Sequence, residues 1–150
     1  MTDLSRRSFL ISTAVSALAL SAAPALAGGW FTPDGVAING TDPVAYFTEG
    51  RPVEGSPQHS VEYDGATWHF ASAANAEAFR ADPARYAPQY GGYCAWAAAQ
   101  GYLADTHPNA WTIHEGRLYL NANRLIRARW ELDIPGFIEK ADANWPSLMS

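Results

Sequence analysis

The stretch Val61-Glu62-Tyr63-Asp64-Gly65-Ala66-Thr67-Trp68-His69-Phe70 decides the fold class. Val61 and Tyr63 alternate with polar residues before Asp64-Gly65, and Trp68 and Phe70 alternate with Thr67 and His69 after it. A period of two marks strands with one buried face, and Asp-Gly accepts the positive φ angles of a two-residue turn. The segment therefore predicts an antiparallel hairpin. Ser72 stands where a helix N-cap belongs, ahead of alanine-rich residues 73–80. Asp82-Pro83 stops that helix, because the residue before proline is pushed out of the α region.

Working outward, a second hairpin is expected where Trp111 and Ile113 lead into Glu115-Gly116, followed by Leu118 and Leu120 alternating with Arg117 and Tyr119. Between the hairpins, Gly91-Gly92 and Gly101 bracket Tyr93-Cys94-Ala95-Trp96-Ala97-Ala98-Ala99-Gln100, a short helix apolar on most faces and so buried. Two helices close the chain. In the first, Arg124, Arg127 and Arg129 read as a solvated face opposite Leu125, Ile126 and Trp130. The second carries Ile134, Phe137, Ile138, Ala141 and Trp145 at spacings of three and four, an amphipathic stripe. Residues 28–40 read as an irregular lead-in. Hairpins and helices without alternating βαβ units predict an α+β class, a small single domain of two β-hairpins packed with several short helices.

Composition narrows the function. The chain has 150 residues, a net charge of −5 and a hydrophobic fraction of 48%. Apolar content of that order excludes a disordered chain, and the acidic balance argues against nucleic acid as a partner. One cysteine excludes an intramolecular disulfide and a zinc site of several cysteines from this chain alone. No hydrolase elbow, phosphate loop or dinucleotide fingerprint is present.

The N-terminus combines Arg6-Arg7, a short apolar run from Ile11 to Leu20, and a small-residue end at Ala25-Leu26-Ala27. These are the three parts of a cleaved export signal, and Ser5-Arg6-Arg7-Ser8-Phe9-Leu10 resembles the twin-arginine type. The apolar run is too short and too rich in Ser and Ala for a stable span. The expectation is a signal over residues 1–27, a domain over 28–150, a periplasmic location and no stable membrane insertion after processing.

Thr41-Asp42-Pro43-Val44-Ala45-Tyr46-Phe47 and Trp68-His69-Phe70-Ala71-Ser72, continued by Asn75, Phe79, Asp82-Pro83 and Tyr86, resemble the YHS domain. Downstream, Pro88-Gln89-Tyr90-Gly91-Gly92-Tyr93-Cys94-Ala95, Leu118-Tyr119-Leu120-Asn121 and Ala141-Asp142-Ala143-Asn144-Trp145-Pro146 look like an exported bacterial subgroup of that family. The resemblance implies handling of a soft transition metal, copper above all, since YHS domains occur beside copper-transporting ATPases. In metal-associated members a cysteine follows the Asp-Pro-Val and others lie near the end of the hairpin. Here those positions hold Ala45 and Ala71, which offer no ligand atom.

That leaves Cys94. If its helix begins near Gly92 or Tyr93, the thiol lies in the first turn, where unpaired N–H groups and the helix dipole favour the thiolate. The surrounding Ala95, Trp96 and alanines point instead to a small buried hydrophobe. Under the first reading Cys94 is a copper ligand, and the Asp42-to-Tyr46 segment forms the adjacent wall. Tyr90, Gly91, Gly92 and Tyr93 then line the pocket, and His59 or His107, both expected in loops, completes the ligand set. His69 and His114 fall on polar hairpin faces. A second reading makes Cys94 a redox thiol cycling through sulfenic acid or a mixed disulfide with a partner thiol protein. A third is a non-catalytic interaction module with Cys94 in its core.

Overall fold

A computed structural model describes residues 29–150. The export signal read from Arg6, Arg7, Ala25 and Ala27 lies outside the described residues. The architecture is α+β, with two antiparallel hairpins and helices packed around them.

After two turns at Pro33–Gly35 and Ala37–Gly40, helix α1 spans Pro43–Thr48. The first hairpin pairs β1 (Ser56–Tyr63) with β2 (Ala66–Phe70). Its register sets Val61 opposite Trp68 and Tyr63 opposite Ala66. Asp64 and Gly65 both have positive φ, 50° and 80°, as the Asp-Gly turn requires. β1 begins five residues before Val61, because an irregularity between Ser56 and Ser60 lets the strand continue past the alternating pattern. His59 therefore sits in a strand, half-buried, and not in a loop.

Helix α2 (Ala73–Ala81) is capped as expected, with Ser72 Oγ accepting from Asn75 N at 3.1 Å. Pro83 ends it and opens a further turn of helix, α3 (Pro83–Tyr86). Phe79 of α2 is fully buried, its ring 5.1 Å from Trp68 and 5.0 Å from Phe70. These rings, with Val44 and Tyr46 of α1, make the first core cluster.

Helix α4 covers Ala95–Gln100 and ends at Gly101 in the left-handed conformation. The second hairpin pairs β3 (Trp111–His114) with β4 (Arg117–Leu120) across Glu115-Gly116. Strand β4 is where the sequence reading needs correction. Tyr119 is not a polar alternate: it is 4% exposed and belongs to a second core cluster, while Leu118 and Leu120 belong to the first. Because successive strand residues point to opposite faces, this one strand serves both clusters.

Helices α5 (Arg124–Trp130) and α6 (Ile134–Leu148) complete the second cluster. Ile134, Phe137, Ile138, Ala141 and Trp145 face it, as their spacing predicts, and Asn144 Nδ2 donates to the carbonyls of Ala98 and Ala99. In α5 only Trp130 is fully buried; Leu125 is 69% exposed, so it does not belong to the expected core stripe. Among the described residues, no helix is long and apolar enough to cross a membrane.

Candidate functional site

The connection from α3 to α4 is a turn in which Tyr90, Gly91 and Gly92 all have positive φ, at 56°, 64° and 84°. Three consecutive left-handed residues reverse the chain sharply, and two of them are glycine because a Cβ there meets other atoms. At Gly91 it would run into the carbonyl oxygen of Gly29, and at Gly92 into Ile38 Cγ2. Phe31 N donates to Gly91 O at 2.8 Å, and Thr106 Oγ1 donates to Gly92 O at 2.7 Å. The turn is thus held from both sides.

Its inward side carries Cys94, which is 1% exposed. The residue is the N-cap of α4, one position before the helix and not within its first turn. Its sulfur accepts from Ala97 N at 3.4 Å and donates to Asn121 Oδ1, also at 3.4 Å. Asn121 Oδ1 in turn accepts from Trp96 N at 2.9 Å. A donor facing the amide oxygen keeps the thiol protonated. Burial pushes the Cys94 thiol above its ordinary range, and the backbone N–H groups of Ala97, Ala122 and Trp96 only partly oppose this. The dipole argument for a thiolate therefore loses to desolvation, since a helix terminus contributes about 1 kcal/mol and removing the charged form from water costs more.

The other expected ligands are elsewhere. Among the described residues no group of three or more His, Cys, Asp or Glu side chains could hold a metal. His107 is exposed, with Nδ1 accepting from Asn109 N at 3.1 Å; His114 Nε2 is 3.2 Å from Glu115 Oε2. Around the sulfur the polar partners are an amide oxygen and a backbone N–H, a donor set that does not fit a soft copper ion. Asn121 Nδ2 is buried without a partner, but it is itself a donor and offers a cation nothing.

The polar atoms of Asp42 and Tyr46 are engaged by residues other than Cys94. Asp42 is completely buried, and its carboxylate accepts from Val44 N, Ala45 N, Ala71 N and Asn75 Nδ2. Tyr46 donates its hydroxyl to Pro108 O at 2.8 Å, and its ring lies 5.4 Å from Trp111. Both organise the first cluster. Tyr90 also points inward, donating to Asp142 Oδ1 at 2.9 Å, and Gly92 is buried.

The outward side of the same turn opens a cleft of about 520 Å3. Gly91 and Tyr93 line it together with Trp30, Leu103, Trp145 and Leu148, whereas Cys94 does not. Asp64, from the tip of the first hairpin, supplies a carboxylate at its edge and accepts from Trp30 Nε1 at 3.0 Å. A mostly apolar concavity of this size with few polar groups is the usual form of a small-ligand site. Trp30, Trp145 and Asp64 carry no local sequence signal for a cleft. Trp145 was visible only as the end of a core stripe, Asp64 only as a turn residue.

Residues 44–90 match the YHS domain family, so a YHS domain is present in that part of the chain. The matched segment contains α1 from Val44 onward, the first hairpin, α2 and α3, and it ends at Tyr90, where the turn begins. No curated protein and no solved structure matches the chain.

Proposed function

We propose that this protein is an exported, periplasmic binding module built on a YHS domain, whose cleft beside the Tyr90–Tyr93 turn receives an apolar group of its ligand. The observation that carries this reading is the contrast across one turn. The apolar, aromatic surface is open on the outside, while the sulfur is sealed inside as a helix cap. Reactive or metal-binding thiols sit in electropositive, partly exposed surroundings, whereas a buried structural cysteine is inert. The copper and redox readings both need the opposite arrangement.

A neutral environment-sensitive dye, N-phenyl-1-naphthylamine, tests the reading when titrated into the full chain. Its emission is expected to rise with wild type and to be lost with Leu103→Asp, which sets a charge at the rim from a residue 39% exposed. Cys94→Ala is expected to bind the dye as wild type does. A thiol that reacts freely with a disulfide reagent in the native protein, or Cu(I) binding that disappears in Cys94→Ala, would overturn the reading.

A further inference from the structure

The cleft has a charge preference that its apolar character alone does not require. Its aromatic walls are Trp30, Tyr93 and Trp145. Each is backed by a ring behind it: Trp30 lies edge-on to Trp68 at 4.9 Å, Tyr93 is 5.6 Å from Phe31, and Trp145 is 5.6 Å from Tyr90. None of the three is stacked on another, and each contributes surface to the lining of the cleft. Rings propped in this way stay apart without a ligand, and a ligand does not have to order them.

Aromatic faces carry negative electrostatic potential and attract cations, most strongly tryptophan. The single charged side chain lining the cleft is Asp64, and no Lys, Arg or His lines it among the described residues. The backbone of Asp64 is fixed by the hairpin turn at φ 50°, and its Oδ2 is engaged by the indole N–H of Trp30. That hydrogen bond ties the carboxylate to one of the aromatic walls and leaves lone pairs on Oδ1. Everything charged or quadrupolar in the lining therefore favours a positive ligand, on a chain whose net charge is −5. Leu103, Leu148 and Met149 add aliphatic surface. A compact, strongly hydrated ammonium gains little against such surface, whereas an alkylated ammonium presents methyl groups to it.

We infer that the cleft binds a small organic cation with an alkylated ammonium group. The inference rests on the cleft being the binding site of the module proposed above, and adds the chemistry of its ligand.

Choline and its neutral isostere 3,3-dimethylbutan-1-ol separate charge from shape. In titrations of the full chain followed by the indole N–H resonances, choline is expected to shift Trp30 and Trp145 and to bind about tenfold more tightly than the alcohol. Asp64→Asn keeps an acceptor for Trp30 Nε1 and a residue tolerant of positive φ, so the hairpin is retained while the charge is lost. It is expected to bring choline to within about threefold of the alcohol. Tyr93→Leu, which keeps bulk but removes a ring, is expected to weaken choline and leave the alcohol unchanged. Equal affinity for the two isosteres in wild type overturns the cation inference while the dye result keeps the module reading. If neither isostere nor the neutral dye binds, both readings fall.

Discussion

Removing the carboxylate of Asp42 is the sharpest test of how the YHS segment is held together. One oxygen accepts from Val44 N at 2.8 Å and Ala45 N at 3.2 Å, opening α1; the other accepts from Ala71 N and Asn75 Nδ2, both at 2.8 Å. The side chain thus ties the start of α1 to the end of β2 and the first turn of α2. In Asp42→Ala the four donors lose their acceptor. Val44 and Ala45 are buried, so their N–H groups are stranded at about 1–3 kcal/mol each. Ala71 is exposed and Asn75 half-buried, so water replaces the lost acceptor there and each bond costs about 1 kcal/mol. The expected loss is about 4–8 kcal/mol, a large part of the stability of an ordinary domain.

Urea unfolding followed by tryptophan emission measures this directly. With a slope of about 1.5 kcal/mol per molar, the midpoint should fall by about 2.5 M or more. Asn75→Ala removes one partner and leaves the rest, so it should cost about 1 kcal/mol. Asp42→Asn retains the oxygen facing α1 but turns an amide donor toward Ala71 N and Asn75 Nδ2, and should fall between the two. The ordering matters more than the totals. If Asn75→Ala were as damaging as Asp42→Ala, or if Asp42→Ala moved the midpoint by less than about 0.5 M, the carboxylate would not be the organising group.

Alkaline stability follows from the buried acids. The Cys94 thiol is raised above its ordinary 9.0, so the native state keeps a proton that the unfolded chain gives up. Stability should hold below about pH 9 and fall above it, by at most about 1.4 kcal/mol per pH unit for one group. Tyr46 and Tyr90, both raised from 10.0 chiefly by burial, should steepen the fall above about pH 10; Cys94→Ala should abolish only the earlier component. Chemically denatured midpoints from pH 7 to 11 check this. Gly91→Ala adds a Cβ against the Gly29 carbonyl at positive φ and should cost about 2 kcal/mol or more, whereas Gly116→Ala, with nothing within 4 Å, should cost about 1 kcal/mol; thermal unfolding compares them. Tyr90→Phe loses the hydrogen bond to Asp142 and should cost about 1 kcal/mol in the same assay.

Local chemistry made much of the fold legible. Asp64-Gly65 and Glu115-Gly116 announce their turns because positive φ leaves a mark in residue type, and Ser72 announces a cap because few side chains can make one. What escaped was what depends on distant partners. Tyr119 looks polar within its strand and becomes core only because α5 and α6 cover its face. Leu125 looks like core and is left exposed. Cys94 caps a helix that the glycines and alanines announce, but its environment is set by Asn121, 27 residues away, which no local pattern connects to it. The cleft was hidden for the same reason: its walls come from the lead-in, the first hairpin, the glycine turn and the end of α6.

The glycine turn also explains why the buried sulfur and the open cleft occur together. Left-handed geometry at Tyr90, Gly91 and Gly92 brings the backbone so close to Gly29 and Ile38 that no side chain fits on the inner path. The chain leaves that turn with Tyr93 directed to the outside and Cys94 to the inside, as neighbours in extended backbone must be. An exposed Cys94 would require Tyr93 to turn inward, giving up its contact with Phe31 and a wall of the cleft. A reactive thiol and an aromatic binding surface are thus alternatives at this turn, and the packing of Phe31 and Asn121 selects the surface.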